Sequence, residues 1–426
     1  MLDIRWMREN KEICQKGLHK KGVAIDVDQL MEHDSRLREG LTELERMRRE
    51  MNERAKEVGL LKRQGKDIEQ KMAGQKELSE QISAKEEIVR EIRTEQENML
   101  IMIPNIPHES VPEGSSDNEN VEIKNWGQIR DFAFDPVPHW DLGENLDIID
   151  LKRASKITGS GFICFKGQGA LLERALINFM LDVHTQEHGY TEIWPPILVN
   201  RASMTGTGQL PKMQDDMYRI EGEDLFLVPT AEVPLTNLYA GEVFEENQLP
   251  HAVTAYTPCF RKEAGAYGKD TRGIIRVHQF DKVELVRFVH PKQSYEELEK
   301  LLVQAENILK KLGLAYRIRL LCAGDMSFAA AKCYDIEAWA PAQKKFLEVS
   351  SCSNFEDFQS RRANIRFKDG SGKKAYIHTL NGSGVALART VIALMESYQR
   401  EDGTIDVPEV LWPYTRGLKR LEQKIS

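Results

Sequence analysis

Apolar residues near the start of the chain recur on a strict seven-residue step: Leu30, Leu37, Leu44, Met51 and Val58. Leu41 and Ala55 fill part of the second seam position. After a break at 62–67 that contains Gly65, a second stripe runs Leu78, Ile82, Val89, Ile92 and Met99. Spacings of three and four put each stripe on one narrow helical face. Two helices of roughly 34 residues joined by a short glycine-containing turn make an antiparallel hairpin, about 50 Å long at 1.5 Å per residue. Only a narrow seam is apolar, so the hairpin is expected to project as an arm.

The pattern then changes. Residues 103–120 (IPNIPHESVPEGSSDNEN) carry three prolines with Gly, Ser and Asn, which ends the helix and marks a boundary. Residues 169–188 read as an amphipathic helix. The runs TEIWPPILV, DLFLVPTAEV, HAVTAYTPCFR, GIIRVHQFDKVELVRFV, YRIRLL, CYDIEAWAP and FLEVSSCSNF read as strands. A helical segment at 294–312 interrupts them, and another helix opens near Val385. Strands and helices mixed without regular βαβ alternation predict an α+β fold, an antiparallel sheet with flanking helices. The division expected is an N-terminal domain over 1–110, with its arm at about 28–100, and a second domain over 111–426.

Composition narrows the function classes. Across 426 residues, 41% are apolar and 30% charged, and the arm supplies the excess of charge. No stretch approaches a membrane span, and the N-terminus lacks the apolar core of a secretory signal. Six scattered cysteines without a CxxC pair make a disulfide framework or structural zinc unexpected. The chain is expected to be soluble and cytosolic. Its net charge of −8 argues against a nucleic-acid partner only if charge is uniform. It is not. Residues 46–76, around the expected tip, hold Arg46, Arg48, Arg49, Arg54, Lys56, Lys62, Arg63, Lys66, Lys71 and Lys76 against only Glu50, Glu53, Glu57, Asp67 and Glu69. A basic tip suits a phosphate backbone; a hairpin serving dimerisation or spacing is the alternative.

Nucleotide chemistry has to be sought outside the usual glycine-rich loops. No GxxxxGK[ST] or GxGxxG is present, and GSGKK at 370–374 is a charged turn without the Ser or Thr. The densest constellation lies at 255–286, read as strand, basic glycine-rich loop, strand. Arg261 and Glu263 share one face of the first strand; Arg276, His278, Phe280, Lys282 and Glu284 share one face of the second, with Ile275, Val277 and Val283 on the other.

FRKEAGAYGKDTRGIIRVHQFDKVEL, from Phe260, resembles motif 2 of the bacterial-type seryl-tRNA synthetases, a family of class II aminoacyl-tRNA synthetases. WPPILVNRASMTGTGQLPK at 194–212 resembles their motif 1, and NGSGVALARTVIALME at 381–396 their motif 3. VPTAEVPLTNLY at 228–239 resembles the serine-binding segment, and LEVSSCSNFEDFQSRR at 347–362 the ATP- and metal-binding strand. The resemblance implies a homodimer that activates L-serine with ATP and Mg²⁺ and transfers it to tRNA(Ser), and also to tRNA(Sec).

It also implies roles. Arg261 holds the α-phosphate, and Arg389 and Arg272 the distal phosphates. Phe280 and Arg389 sandwich the adenine, with Glu263 near its amino group and Lys262, Val277, Val349 and Ser350 completing the ATP site. Glu348 and Ser351 supply oxygen ligands to Mg²⁺. Thr230, Ala231, Glu232, Glu284, Asn381 and Ser383 form the serine pocket, with Thr230 and Glu232 expected on one strand face. Arg48, Arg49, Arg54, Lys62, Arg63 and Lys66 are the tRNA-binding candidates on the arm. His278 is expected to be structural. Two rivals remain. An enzyme that loads a carrier protein would lack the arm. A scaffold with a decayed body would have lost Arg261, Glu263, Glu284, Glu348 and Arg389, all of which are present.

Overall fold

The computed structural model describes residues 1–264 and 272–423; most of the expected glycine-rich loop between Glu263 and Arg272 lies outside them. Two compact units emerge. One comprises Met1–His19 and Val23–Pro104, the other Lys20–Gly22 and Asn105–Ser426.

The first unit holds α1 (Ile4–Glu9), α2 (Lys11–Lys20), α3 (Val27–Arg63) and α4 (Glu69–Ile101). Asp26 caps α3 by accepting the Asp28 N–H at 2.8 Å. Gly65, at φ +66°, supplies the left-handed residue that turns α3 into α4. Cross-helix contacts pair Asp34 with Gln96, Arg48 with Glu86 (2.6 Å) and Arg54 with the Gly74 carbonyl (3.0 Å), so the helices run antiparallel. Leu30, Leu37 and Leu44 of α3 and Leu78, Val89 and Ile92 of α4 are buried along the seam. Each such leucine contributes about 2 kcal/mol. The periodicity does not reveal two residues without apolar side chains in the same seam, Asp34 and Gly40. Buried Asp34 accepts from Arg8 (2.9 Å) and Arg38 (3.0 Å), and Gly40 lets Val89 approach to within 3.0 Å of where a Cβ would stand.

The second unit is built on an eight-stranded sheet. Its strands are β1 (Val121–Trp126), β2 (Thr191–Glu192), β3 (His251–Phe260), β4 (Gln279–Val289), β5 (Tyr316–Leu320), β6 (Lys332–Ala340), β7 (Lys345–Asn354) and β8 (His378–Ala386). Their spatial order is β1-β5-β6-β7-β8-β4-β3-β2, antiparallel except where β2 joins β3. Helices α5 (Gln168–Gln186), α6 (Ser294–Lys311) and α7 (Leu387–Tyr398) cover one face, burying Phe179, Leu301 and Val391 with Val283, Leu285 and Ile336 of the sheet. Alternation along β4 decides the rest. Val283 and Leu285 enter this core, whereas Lys282 and Glu284 face the opposite way. Among the described residues no helix is long and apolar enough to cross a membrane.

Candidate active site

The face of the sheet away from the helices carries a cavity of about 590 Å³. It brings together Thr230, Glu232, Arg261, Glu263, Val277, Phe280, Glu284, Glu348, Val349, Ser350, Ser351, Asn381, Ser383 and Arg389, contributed by segments more than 150 residues apart in sequence. Ala231 is buried behind this wall. Two expected residues lie elsewhere: Lys262 is exposed, with its ammonium 5.8 Å from the Tyr218 ring, and the Arg272 guanidinium stacks on Trp140 at 4.5 Å.

Several local expectations need correction. Thr230 and Glu232 do not share a strand, because the strand here is only Leu225–Leu227 and a short helix, Glu232–Asn237, begins at Glu232 itself. The Thr230 hydroxyl accepts the Glu232 N–H at 3.2 Å, so the two meet through a helical turn rather than strand parity. Arg261 and Glu263 likewise lie beyond β3, which ends at Phe260, and Glu263 takes a left-handed φ of +50°. Arg276 and His278 precede β4, and Ile275 and Val277, expected on the opposite face, line the cavity too. His278 is held by backbone groups: its backbone N–H donates to the Gly161 carbonyl at 2.7 Å, and its ring meets the Arg261 carbonyl.

The innermost part of the cavity is charged. The Lys282 ammonium lies against the Glu284 carboxylate and donates to the Thr230 hydroxyl at 2.9 Å; both charged side chains are almost fully buried. The Glu232 carboxylate accepts from Gln359 Nε2 at 2.6 Å. Burial, and then the charge of Glu284, push the Glu232 carboxyl up to about 7. Lys282 was no site candidate, because a lysine on an alternating strand reads as solvent-facing. Its ion pair with Glu284 is visible only in three dimensions.

Nearer the opening, Arg261 donates to the Pro229 carbonyl at 3.2 Å and covers the Phe280 ring at 5.3 Å. Arg389 donates to the carbonyls of Ile275 (3.2 Å) and Glu348 (2.9 Å) and to the Glu348 carboxylate (3.3 Å). The pairing of β7 with β6 shifts register between Glu348 and Ser350. That bulge brings Glu348 and Ser351, three residues apart, to the same cavity wall, which simple alternation forbids. Asp335 stands opposite Ser351; burial and then the Glu348 charge raise its carboxyl well above the ordinary range. Oxygen donors from one carboxylate and one hydroxyl suit Mg²⁺, which takes few protein ligands and fills its shell from phosphate and water. Arginines for phosphates, an aromatic face for a base, oxygen donors for a hard cation and a small buried pocket with two carboxylates equip one cavity to activate a small polar amine with a nucleotide.

On the arm, Arg48, Arg49 and Arg54 are paired with Glu86, Glu45 and Glu50. Among the described residues, Lys62, Arg63 and Lys66 at the turn are exposed and have no carboxylate partner.

Comparison with known proteins agrees with this geometry. Residues 1–107 match the family model described as "Seryl-tRNA synthetase N-terminal domain". Residues 216–398 match "tRNA synthetase class II core domain (G, H, P, S and T)". The chain is 52% identical to a serine–tRNA ligase of Pelotomaculum thermopropionicum over 99% of its own length and 100% of that protein. Its structure is similar to a seryl-tRNA synthetase from Pyrococcus horikoshii complexed with ATP, with a TM-score of 0.93, 39% identity, and coverage of 99% and 100% of the two chains. It is also similar to a cytoplasmic serine–tRNA ligase from Naegleria fowleri in complex with AMP (TM-score 0.87, 30% identity, 100% and 99% covered).

Proposed function

The chain belongs to the seryl-tRNA synthetases, ATP-dependent ligases that join serine to tRNA, and from that premise we propose how its own residues divide the work. The observation that supports the division is the single cavity shared by Glu232, Glu284, Arg261, Phe280, Glu348 and Arg389.

Serine enters the inner pocket. Its ammonium faces Glu232 and Thr230, its hydroxyl donates to Glu284, and Ala231, Asn381 and Ser383 close the walls. A competitor without the hydroxyl forfeits that hydrogen bond to buried Glu284, which keeps only its Lys282 partner, and threonine is excluded by volume. The serine carboxylate is already ionised near neutral pH, so its attack on the α-phosphorus needs no general base. Pyrophosphate departs, and the protein acts by positioning and charge compensation. Arg261 holds the α-phosphate; Arg389 and Arg272 hold the distal phosphates. The adenine lies between Phe280 and Arg389, with Glu263 at its amino group and Val277, Val349 and Ser350 around it. Mg²⁺, when bound by Glu348 and Ser351, neutralises phosphate charge. The terminal ribose hydroxyl of tRNA then attacks the seryl carbonyl and AMP leaves.

The N-terminal arm takes tRNA(Ser), and tRNA(Sec) as a second substrate, through backbone phosphates. Arg48, Arg49, Arg54, Lys62, Arg63 and Lys66 are the contact set, with the three unpaired cations at its centre. The working form is a cytoplasmic homodimer. Trp194, Ile197 and Leu198 stand exposed, and Trp194 lines a cavity with Glu173, Tyr256 and Asp281; a second copy covers this surface.

Replacing Lys62, Arg63 and Lys66 together by alanine tests the division. Serine-dependent ATP–pyrophosphate exchange is expected to stay unchanged. Charging of tRNA is expected to weaken, its salt dependence falling by about 0.7–0.9 in log–log slope for each lost phosphate contact. Intact charging in the triple variant would remove the arm's assigned role.

A further inference from the structure

His139 and Trp140 open the short helix His139–Asn145, in a stretch that carries none of the motifs described above. His139 is fully buried. Its backbone N–H and its Nδ1 both donate to Glu396 Oε1, at 3.1 and 2.9 Å, and its Nε2 accepts the backbone N–H of Ile274 at 3.2 Å. Glu396 cannot easily turn away, because its carboxylate also accepts the N–H groups of Ala342 (3.0 Å) and Gln343 (3.3 Å) and the Gln343 amide (3.0 Å).

The chain of contacts ends on both ATP-site arginines. Glu396 lies two turns after Arg389 on α7, and Arg389 Nε donates to the carbonyl of Ile275. Ile274 is therefore held at its N–H through His139, and Ile275 at its carbonyl by Arg389. Next door, the Arg272 guanidinium lies 4.5 Å over the Trp140 ring. Gly273 makes the close approach possible. It sits at φ +72°, and a Cβ there would stand 2.2 Å from His139 Nε2 and 2.9 Å from Trp140 Cε3.

We propose that His139 and Trp140 are positioning residues for ATP: His139 fixes the backbone from which Arg272 projects, and Trp140 holds the Arg272 guanidinium in a defined place before the distal phosphates arrive. Neither touches the reacting atoms. An arginine at the end of a glycine-rich segment otherwise loses most of its rotamer freedom when it grips phosphate; one already stacked loses less. The inference rests on the assignment of Arg272 and Arg389 to the distal phosphates.

The experiment measures pyrophosphate exchange and ATP-dependent tryptophan emission on the full-length enzyme. Trp140→Leu and His139→Asn are expected to raise KM for ATP by about tenfold, the worth of one freed arginine side chain, with KM for serine unchanged. His139→Gln, which places an acceptor where Nε2 stood, is expected to recover most of the loss; Asn, whose shorter side chain reaches only the Nδ1 position, is not. Trp140→Phe is expected to keep KM near normal while abolishing the part of the emission change caused by Arg272 leaving the indole, and Arg272→Ala to abolish the same part. An unchanged ATP KM in Trp140→Leu, with Arg272→Ala impaired, overturns the inference alone. An unchanged ATP KM in Arg272→Ala overturns the phosphate assignment beneath it. If His139→Asn does not fold, the two Trp140 variants and the emission signal still decide.

Discussion

Replacing Glu232 by glutamine is expected to stabilise the folded chain while disabling it. Burial and the neighbouring Glu284 charge push this carboxyl from an ordinary 4.5 up to about 7. Because the folded-state value lies above the unfolded one, the folded chain retains a proton that the unfolded chain gives up. The contribution to stability is fully present below about pH 4.5 and is lost as pH rises through about 7. At about 1.4 kcal/mol for each pH unit of that gap, an ionised Glu232 costs on the order of 3 kcal/mol at pH 8. Glutamine removes the cost and keeps an oxygen for Gln359 Nε2. Function moves the other way. In the proposed pocket the ionised carboxylate faces the serine ammonium, and losing one partner of a buried charge pair costs about 3–5 kcal/mol, or roughly 10²–10⁴-fold in kcat/KM for serine. The wild-type kcat/KM for serine should therefore climb through about pH 7, whereas the variant should be low and flat. Exchange kinetics from about pH 5.5 to 8.5, with thermal unfolding at pH 8, read both effects. A variant that kept the wild-type pH midpoint and kcat/KM would refute the assigned role.

Other outcomes follow from the same cavity. Arg261→Ala should reduce exchange by about a thousandfold or more, since it removes the proposed α-phosphate donor and the cation over Phe280; near-normal exchange would displace Arg261 from that role. Ser351→Ala should raise the Mg²⁺ concentration for half-maximal exchange while leaving serine binding intact, because Glu348 remains on the same wall. An unaltered Mg²⁺ dependence would remove Ser351 from the ligand set.

Much of the arm was legible from its seven-residue step, since a narrow seam leaves little choice of fold. Asp34 was not, because a charged residue in a heptad gap reads as solvent-facing until Arg8, Arg38 and Gln96 are seen to surround it. In the body, the residues at Arg261, Glu284, Glu348 and Arg389 converge as their chemistry suggested. Local geometry escaped where a single backbone irregularity overrules alternation. The helix beginning at Glu232 replaces a strand, and the bulge after Glu348 reverses which side chains share a wall. Lys282 escaped for the opposite reason: alternation placed it on the correct face, but nothing in the sequence distinguishes a solvent face from a charged cavity.

Serine specificity is the claim that most depends on the inner pocket, and one measurement addresses it directly. ATP–pyrophosphate exchange is run with each amino acid in turn at saturating ATP and Mg²⁺, on the wild type and on Glu284→Ala. The account predicts strong exchange with serine alone, with alanine and threonine far below it, and a collapse of the serine-to-alanine ratio in the variant. Exchange driven equally by alanine, or a ratio untouched by loss of Glu284, would contradict it.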